Sequence, residues 1–231
     1  MAYFPFFIEL SQTPGLVVGG GRVALRKIEK LLPYGPLLTA VAPQFHEELE
    51  ELERSLRSEA LRKKEGNEKG SAQLVLCRRP FTPEDLADKE FVIAAAGDRE
   101  VNHRVARLCR ERRIPVNVVD DREASSFLFP SLIKKGSLSV GISTGGSSPS
   151  AAIYLKERFS QAVPENLPQI LNFLAEQRVR AQQSIVQGER RERLMKELFC
   201  ACMERGGPLT QEEAQAWIEK AGEEKQWEKE A

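Results

Sequence analysis

The chain has 231 residues, 41% of them hydrophobic and 29% charged, a composition typical of a globular protein with buried cores. Lysine and arginine total 34 and aspartate and glutamate total 34, so the net charge is zero and no overall basic field attracts nucleic acid or a membrane surface. The sequence has neither an apolar run long enough to span a bilayer nor the features of a secretory signal, which predicts a cytoplasmic protein.

The four cysteines are too few and too irregularly spaced for a disulfide framework, and they indicate free thiols in a reducing compartment. Cys200 and Cys202 form one C-x-C pair, with His46 and His103 far away in sequence. Packing inside a helix is therefore favoured over a structural zinc site, and no metal site is predicted.

The first half of the chain alternates short apolar runs with amphipathic stretches, the pattern of βαβ units. Five strands are expected, at 16–18, 37–41, 74–76, 91–96 and 114–119. Helices are expected at 23–32 and at 99–112, the second capped by Asp98. A further helix is expected to start at 82–84, and the segment 44–70 is expected to form a helix that runs into a loop. This order predicts an α/β fold with a doubly wound parallel sheet, whose first domain we assign to residues 1–113.

The pattern changes after Asp120, where two apolar runs flank 134–137 and predict a hairpin outside the parallel sheet. We expect a small α+β domain over residues 114–150. From Pro149 the sequence predicts a helical C-terminal region over residues 151–231, interrupted at 163–164 and 206–208 and ending in a frayed charged tail.

The first strand runs directly into a glycine-rich turn, Gly19-Gly20-Gly21-Arg22-Val23-Ala24, which reads G-x-G-x-x-A at the start of a helix. In this context the first glycine allows a tight turn, the second lets the backbone approach a pyrophosphate, and the alanine packs the helix closely on the strand. The pattern predicts a Rossmann-like dinucleotide site. No Asp or Glu follows the second strand, which ends Val41-Ala42-Pro43-Gln44, so the choice between NAD and NADP stays open.

Five blocks that include this turn make the sequence similar to the precorrin-2 dehydrogenase/sirohydrochlorin ferrochelatase family, which forms the N-terminal region of siroheme synthases. In chain order the blocks are FFIEL at 6–10, VGGGRVALRK at 18–27, AAAGD at 94–98 with VN at 101–102, NVVD at 117–120 with SF at 126–127, and STGGSSP at 143–149. Their order and spacing match over about the first 200 residues.

The resemblance implies that NAD⁺ removes a hydride from precorrin-2 to give sirohydrochlorin, and that bifunctional members also insert Fe²⁺. It implies a tetrapyrrole partner with eight carboxylates, and a homodimer formed through the second domain. It also implies cofactor contacts at Gly19, Gly20, Gly21, Arg22, Val23, Pro43, Gln44, Ala95, Asp98 and Asn117.

Family members have a functional aspartate at the position of Asp120, which follows a strand whose carboxyl end is a usual place for ligands. A carboxylate there can accept the proton lost on oxidation and the pyrrole protons displaced by a metal. The alternative is that Asp120 or Asp121 caps the following turn. His103, inside a basic helix, is interpreted as a surface histidine.

Because the chain has zero net charge, binding of an anionic substrate requires a local cluster of cations. The candidates are Arg22, Arg26, Lys134 and Lys135. The alternative is that these side chains are only the solvent-exposed charges of a helix and a turn. Thr144 occupies the position of a family serine that is phosphorylated in some members, and we predict substrate contacts at Arg22, Lys134 and Thr144. Two other functions stay open: a dinucleotide sensor without catalysis whose helical tail binds a partner, and a dehydrogenase of an unrelated small substrate. The blocks at 117–120 and 144–149 argue against the second.

Overall fold

A computed structural model describes residues 3–65 and 73–223. The first elements are β1 (Pro14–Val18), α1 (Arg22–Leu31), β2 (Leu37–Ala42), α2 (Glu47–Glu65), β3 (Gln73–Arg78), β4 (Phe91–Ala94), α3 (Arg99–Glu111) and β5 (Val116–Val118). They are followed by β6 (Ser131–Lys135), β7 (Leu138–Ile142), α4 (Pro149–Ala162), α5 (Leu167–Ser184), α6 (Gly188–Arg205) and α7 (Gln211–Glu223). The expected frayed tail and the end of the 44–70 segment lie outside the described residues.

The five-stranded sheet is wholly parallel, in the order β3-β2-β1-β4-β5. Alternate residues of β1 point to opposite faces: Val17 joins a core that includes Ile28 of α1, whereas Leu16 joins a core that includes Val105 of α3. Helices therefore cover both faces, and the doubly wound Rossmann-like fold predicted from the sequence is confirmed. Because β1, β4 and β5 are parallel neighbours, their carboxyl ends lie at one edge of the sheet.

Three predicted elements are clearly shorter in the structure, and one of them is the fifth strand, which is predicted at 114–119 but spans only Val116–Val118. The segment from Thr82 forms only a 3₁₀ helix at Pro83–Leu86, closed by a capping box between Thr82 and Asp85. Strand β4 ends at Ala94 and not at residue 96, because the Asn102 side chain satisfies both backbone groups of Ala96, at 2.9 Å each.

The described residues divide into two compact units, the first containing the chain up to Pro130 together with Ser143–Pro149. This unit extends beyond the expected boundary at residue 113, because β5 pairs with β4 and Ser126 exchanges hydrogen bonds with Val116. The second unit contains Ser131–Ile142 and the chain from Ser150.

The second unit begins with the predicted hairpin, in which β6 and β7 are antiparallel and Ile133 and Ile142 pack with Ala152 of α4. Helices α5, α6 and α7 share a separate core that includes Ile170, Leu198 and Ile218. Helix α4 begins at Pro149, and the breaks predicted at 163–164 and 206–208 are present, but the sequence did not predict the third break, at 185–187 between α5 and α6. Among the described residues, no helix is long and apolar enough to cross a membrane.

Candidate dinucleotide and substrate site

The three glycines after β1 lie in different surroundings, so glycine is needed for close packing at some of these positions and for access by a ligand at another. Gly19 has φ +137°, and a Cβ there would lie 2.2 Å from the Ala95 carbonyl oxygen. A Cβ at Gly20 would lie 2.1 Å from the Gln44 carbonyl oxygen. A Cβ at Gly21 would meet no described atom within 4 Å, so this position faces open space. Gly19 and Gly20 let the turn pack against its neighbours, whereas Gly21 leaves room for a ligand.

The N-terminus of α1 begins at this open position. Gly21 is its N-cap, and no side chain of the described residues caps the helix. The first turn has no acidic residue, and Ala24 is fully buried against the sheet. Unpaired helix N-terminal amides and the positive end of the helix dipole bind phosphate groups. The turn therefore fits the pyrophosphate of NAD(P).

The end of β2 meets the same turn through its backbone and one histidine. His46 donates its backbone N–H to the Gly20 carbonyl at 2.8 Å, and Arg22 donates its Nε–H to His46 Nε2 at 3.1 Å. Pro43 and Gln44 are exposed beside Gly20, while Val23 is 42% exposed on the first turn of α1. The contacts of His46 with Gly20 and Arg22 could not be predicted from the sequence, because they form only when the loop after β2 folds back onto the glycine turn.

The end of β4 provides the second wall. Ala95 donates its N–H to the Val18 carbonyl at 2.7 Å, and its own carbonyl lies against Gly19. Asp98 caps α3 as predicted, because its side chain accepts the Glu100 N–H at 2.8 Å. Any cofactor contact of Asp98 would have to use a carboxylate already engaged in this cap.

The turn after β5 separates two adjacent aspartates. Asp121 makes the structural contacts: Oδ1 accepts the Ala124 N–H at 3.0 Å, and Oδ2 lies 2.8 Å from His103 Nε2 and 3.8 Å from Arg99. The Ala124 hydrogen bond, followed by that to His103, lowers the pKa of Asp121. His103, expected to be a surface histidine, is thus half-exposed but paired.

Asp120 is exposed, and within 3–65 and 73–223 no hydrogen bond holds its carboxylate. Its φ is +58°, the left-handed region that non-glycine residues seldom adopt. Such conformations cluster at functional sites. The structure gives the capping role to Asp121 and leaves Asp120 available to a ligand at the carboxyl edge of the sheet.

Asn117 and Lys27 lie beneath this turn. Asn117 is 6% exposed; its Nδ2 donates to the Phe127 carbonyl at 3.1 Å, and its Oδ1 accepts from Lys27 Nζ at 3.4 Å. The Lys27 ammonium also lies 4.1 Å from the centre of the Phe129 ring. Both ends of the Asn117 amide are therefore engaged within the protein. Sequence reasoning missed Lys27, although its spacing of three residues from buried Ala24 places it near the inner face of α1.

The loop at 143–149 is closed by Thr144, whose hydroxyl accepts the Ser148 N–H at 3.2 Å and donates to the Ser148 carbonyl at 3.0 Å. The loop approaches Arg122, whose guanidinium would lie 3.3 Å from a Cβ on Gly146. Arg122, which sequence analysis did not select, donates to the Tyr3 hydroxyl at 3.1 Å. Thr144 thus has a local structural role.

The hairpin lysines belong to the second unit. Lys134 donates to the Gly136 carbonyl at 2.5 Å, and Lys135 donates to the Ser160 and Val163 carbonyls at the end of α4, at 3.4 and 3.0 Å. Lys135 therefore stabilises a helix C-terminus, a usual position for a cation. Arg26 is exposed on α1.

The C-x-C pair lies in helix α6, where one of its two cysteines packs in a hydrophobic core. Cys202 is buried in the core of α5 to α7, Cys200 is exposed, and all four thiols are free. In the described ranges, no three His, Cys, Asp or Glu side chains are grouped closely enough to hold a metal ion.

The glycine turn, the uncapped α1 N-terminus and the parallel sheet define a dinucleotide-binding α/β protein. A family model described as "Putative NAD(P)-binding" matches residues 6–131, more than half of the chain. The chain is 35% identical over 199 residues to siroheme synthase 2 of Pectobacterium atrosepticum, and 37% identical over 201 residues to siroheme synthase of Tolumonas auensis. These matches cover 86% and 87% of the chain but 40% and 39% of the relatives, so the chain spans about two fifths of their length.

One solved structure, named SirC, precorrin-2 dehydrogenase, superimposes with a TM-score of 0.65 at 26% identity, covering 96% of this chain and 100% of that one. The chain belongs to the family of putative NAD(P)-binding proteins, and over most of its length it is similar to the named siroheme synthases and to the solved precorrin-2 dehydrogenase. NAD(P) is accordingly its cofactor, as the glycine turn predicted.

Proposed function

We propose that the chain oxidises precorrin-2 to sirohydrochlorin, with NAD⁺ as the hydride acceptor. One observation carries this proposal: the open glycine turn after β1 and the unengaged Asp120 carboxylate after β5 belong to the same edge of one sheet. The names of the relatives support the substrate, and the match to the solved dehydrogenase covers 96% of this chain and 100% of that one.

The reaction requires the substrate to lose a hydride and a proton. When bound, NAD⁺ takes the hydride and becomes NADH. Asp120 accepts the proton, since its carboxylate is exposed and Asp121 has taken over the capping of the turn. The left-handed backbone of Asp120 is the kind of uncommon conformation that clusters at functional sites.

We further propose that the α1 amides bind the pyrophosphate, with Gly19 to Val23, Pro43, Gln44 and Ala95 surrounding the dinucleotide. Arg22, Lys134 and Thr144 are proposed contacts for the substrate carboxylates. Asp98 and Asn117 act chiefly through the backbone geometry they maintain, because their side chains are engaged within the protein. NAD is proposed over NADP from the resemblance of the chain to its family.

A second activity, insertion of Fe²⁺ into sirohydrochlorin, is proposed from relatives that are named siroheme synthase. Asp120 would accept the pyrrole protons displaced by iron in the same site. Purified protein mixed with sirohydrochlorin and ferrous or cobaltous ion should change the tetrapyrrole spectrum at a rate above the uncatalysed one. A rate equal to that without protein would remove the chelatase proposal and leave the dehydrogenase.

A homodimer is proposed through the α+β dimerisation domain predicted at 114–150, together with the helix α4 that follows its hairpin. Three large side chains of α4, Ile153, Tyr154 and Phe159, are each more than half exposed, and such a surface favours association. The four free thiols support the cytoplasm as the proposed location.

The proposed function is tested by mixing the protein anaerobically with NAD⁺ and precorrin-2. NADH absorbance and sirohydrochlorin should appear together. Binding of NAD⁺ without turnover would instead support a dinucleotide sensor. Turnover with small hydroxy or amino compounds, but not with precorrin-2, would indicate a dehydrogenase of another substrate.

A further inference from the structure

His46 and Arg22 join two segments of the proposed cofactor site through a side-chain contact that has no role in the proposal so far. Arg22 is the first residue of α1, and its Nε–H donates to His46 Nε2 at 3.1 Å. The backbone N–H of His46 donates to the Gly20 carbonyl at 2.8 Å. The Arg22 side chain is therefore tied, through His46, to the glycine turn that leaves open space at Gly21.

The contact with Arg22 determines which nitrogen of His46 carries the proton. A guanidinium has donors only, so His46 Nε2 must be the acceptor and the ring proton must lie on Nδ1. This Nδ1 atom is buried, and in the described part of the chain it has no hydrogen-bond partner. Glu48 Oε1 lies 3.9 Å from it, which is too far for a hydrogen bond but close enough to attract the Nδ1 proton. The imidazole in this contact is thus neutral, and its lone pair points at Arg22.

The Arg22 guanidinium keeps most of its hydrogen-bonding capacity for a ligand. The residue is exposed, and among residues 3–65 and 73–223 it has no carboxylate partner and no side-chain hydrogen bond besides the one to His46. Four N–H donors on its two terminal nitrogens therefore remain for an oxyanion. The first turn of α1 has no acidic residue, and neither do the four residues that follow β2. The charge at this place favours a phosphate group.

The geometry points to His46 as a positioning residue for cofactor binding: it holds the Arg22 guanidinium beside the α1 N-terminus, where the guanidinium binds a phosphate of the dinucleotide. The inference rests on the proposed cofactor site at this turn. An unrestrained arginine loses side-chain entropy when it binds a ligand, whereas one already held at Nε loses less. The ligand is either the pyrophosphate that NAD⁺ and NADP⁺ share or the 2′-phosphate of NADP⁺ alone, and the binding experiment distinguishes the two.

Calorimetric titration with NAD⁺ and NADP⁺ compares Arg22→Met, which removes the guanidinium, with His46→Leu, which removes the acceptor, and His46→Gln, which retains one. Arg22→Met should weaken binding by roughly 10- to 100-fold, the scale of a hydrogen bond to a charged group. His46→Leu should weaken it by roughly 3- to 10-fold, the scale of ordering one long side chain, and His46→Gln should restore most of the affinity. An equal loss for both cofactors would assign Arg22 to the pyrophosphate, and a loss confined to NADP⁺ would assign it to the 2′-phosphate. The matched control is Lys30→Met, exposed in the last turn of α1, which should bind both cofactors as the wild type does.

A double variant separates positioning from an independent contact. If His46 acts through Arg22, the combination of Arg22→Met with His46→Leu should bind the affected cofactor no more weakly than Arg22→Met alone. Losses that add would overturn the inference, and so would unchanged affinity for both cofactors in Arg22→Met. Gly21→Asp is the reference for the site itself. If Gly21→Asp abolishes NAD⁺ binding while Arg22→Met preserves it, the inference alone fails; if both variants bind NAD⁺ normally, the proposed cofactor site fails with it.

A measurement without cofactor tests the contact itself and needs no variant of Arg22 to fold. The chain has two histidines, so in protein with ¹⁵N-labelled histidine the His46 resonances are assigned by comparison with His103→Gln. At mildly alkaline pH, His46 of the wild type should be the Nδ1–H tautomer, and in Arg22→Met it should shift toward the Nε2–H tautomer that free histidine prefers. An Nε2–H tautomer in the wild type would overturn the inference, because a protonated Nε2 cannot accept a hydrogen bond from Arg22.

Discussion

Replacing Gly21 with aspartate should have opposite effects on the fold and on cofactor binding. Gly21 is the N-cap of α1, with φ −87° and ψ −175°, a conformation open to any residue, and a Cβ there meets no described atom within 4 Å. Aspartate is a preferred N-cap, and α1 has no side-chain cap among the described residues. Gly21→Asp should therefore fold normally and cap its own helix.

The magnitudes can be worked out for both effects. A carboxylate at a helix N-terminus contributes about 0.3–1 kcal/mol, which for a chain of this size raises Tm by roughly 1–4 °C. The same carboxylate about 4 Å from a phosphate costs about 4 kcal/mol at an effective dielectric constant of 20. Since each 1.4 kcal/mol is a factor of ten, NAD⁺ binding should weaken by roughly 10²- to 10³-fold.

Calorimetric titration with NAD⁺ and a thermal melt of the same sample measure both effects. Gly19→Ala is the matched control, since its Cβ would lie 2.2 Å from the Ala95 carbonyl oxygen at φ +137°. Strain and overpacking should together cost that variant about 2–6 kcal/mol, so it should melt well below the wild type. NAD⁺ affinity of Gly21→Asp within threefold of the wild type, in a folded protein, would refute the assignment of the α1 N-terminus to the pyrophosphate.

Three further predictions concern other parts of the chain. Asp120→Asn should slow precorrin-2 oxidation by roughly 10²- to 10⁴-fold with unchanged NAD⁺ affinity, whereas Asp121→Asn should chiefly lower Tm. The reverse pattern in rate and melting assays would make Asp121 the proton acceptor and Asp120 the cap of the turn. Phe159→Glu should convert a dimer to a monomer in light scattering, and a wild-type protein that is monomeric at micromolar concentration would contradict the proposed dimer. Chiefly by hydrogen bonding, Arg205 lowers the pKa of Glu213 from 4.5 to about 2, so this pair stabilises the helical unit above pH 4.5 and ceases to do so as the pH falls toward 2. Circular dichroism melts should show a smaller loss of Tm between pH 6 and pH 2.5 in Glu213→Gln than in the wild type, and equal losses would mean that solvent screens the pair.

The parts of the fold that local patterns determine could be predicted from the sequence. The apolar runs and the G-x-G-x-x-A turn predict the strands, α1 and the cofactor class, because each depends on neighbouring residues only. The sequence predicts that β4 ends at residue 96, two residues later than in the structure. Ala95 and Ala96 fit a strand by composition, but the Asn102 side chain replaces the sheet hydrogen bonds of Ala96.

The parts of the site that depend on contacts between distant segments could not be predicted. Two adjacent aspartates are equivalent in sequence, and the roles of Asp120 and Asp121 separate only when His103 and Ala124 are placed around them. Likewise, Lys27 is an ordinary basic residue of a helix until the chain returns, 90 residues later, with Asn117. The sequence therefore predicts the turn that is proposed to bind the cofactor, whereas the structure is needed to select the groups that are proposed to surround the reacting atoms.

The proposed oxidation of precorrin-2 by NAD⁺ at the carboxyl edge of the sheet can be tested in an anaerobic single-turnover experiment, with protein in excess over precorrin-2 and saturating NAD⁺. We expect one NADH for each sirohydrochlorin, formed at a rate that falls in Asp120→Asn while NAD⁺ stays bound. Saturable NAD⁺ binding with neither NADH nor sirohydrochlorin formed would show that this edge of the sheet does not carry out the reaction.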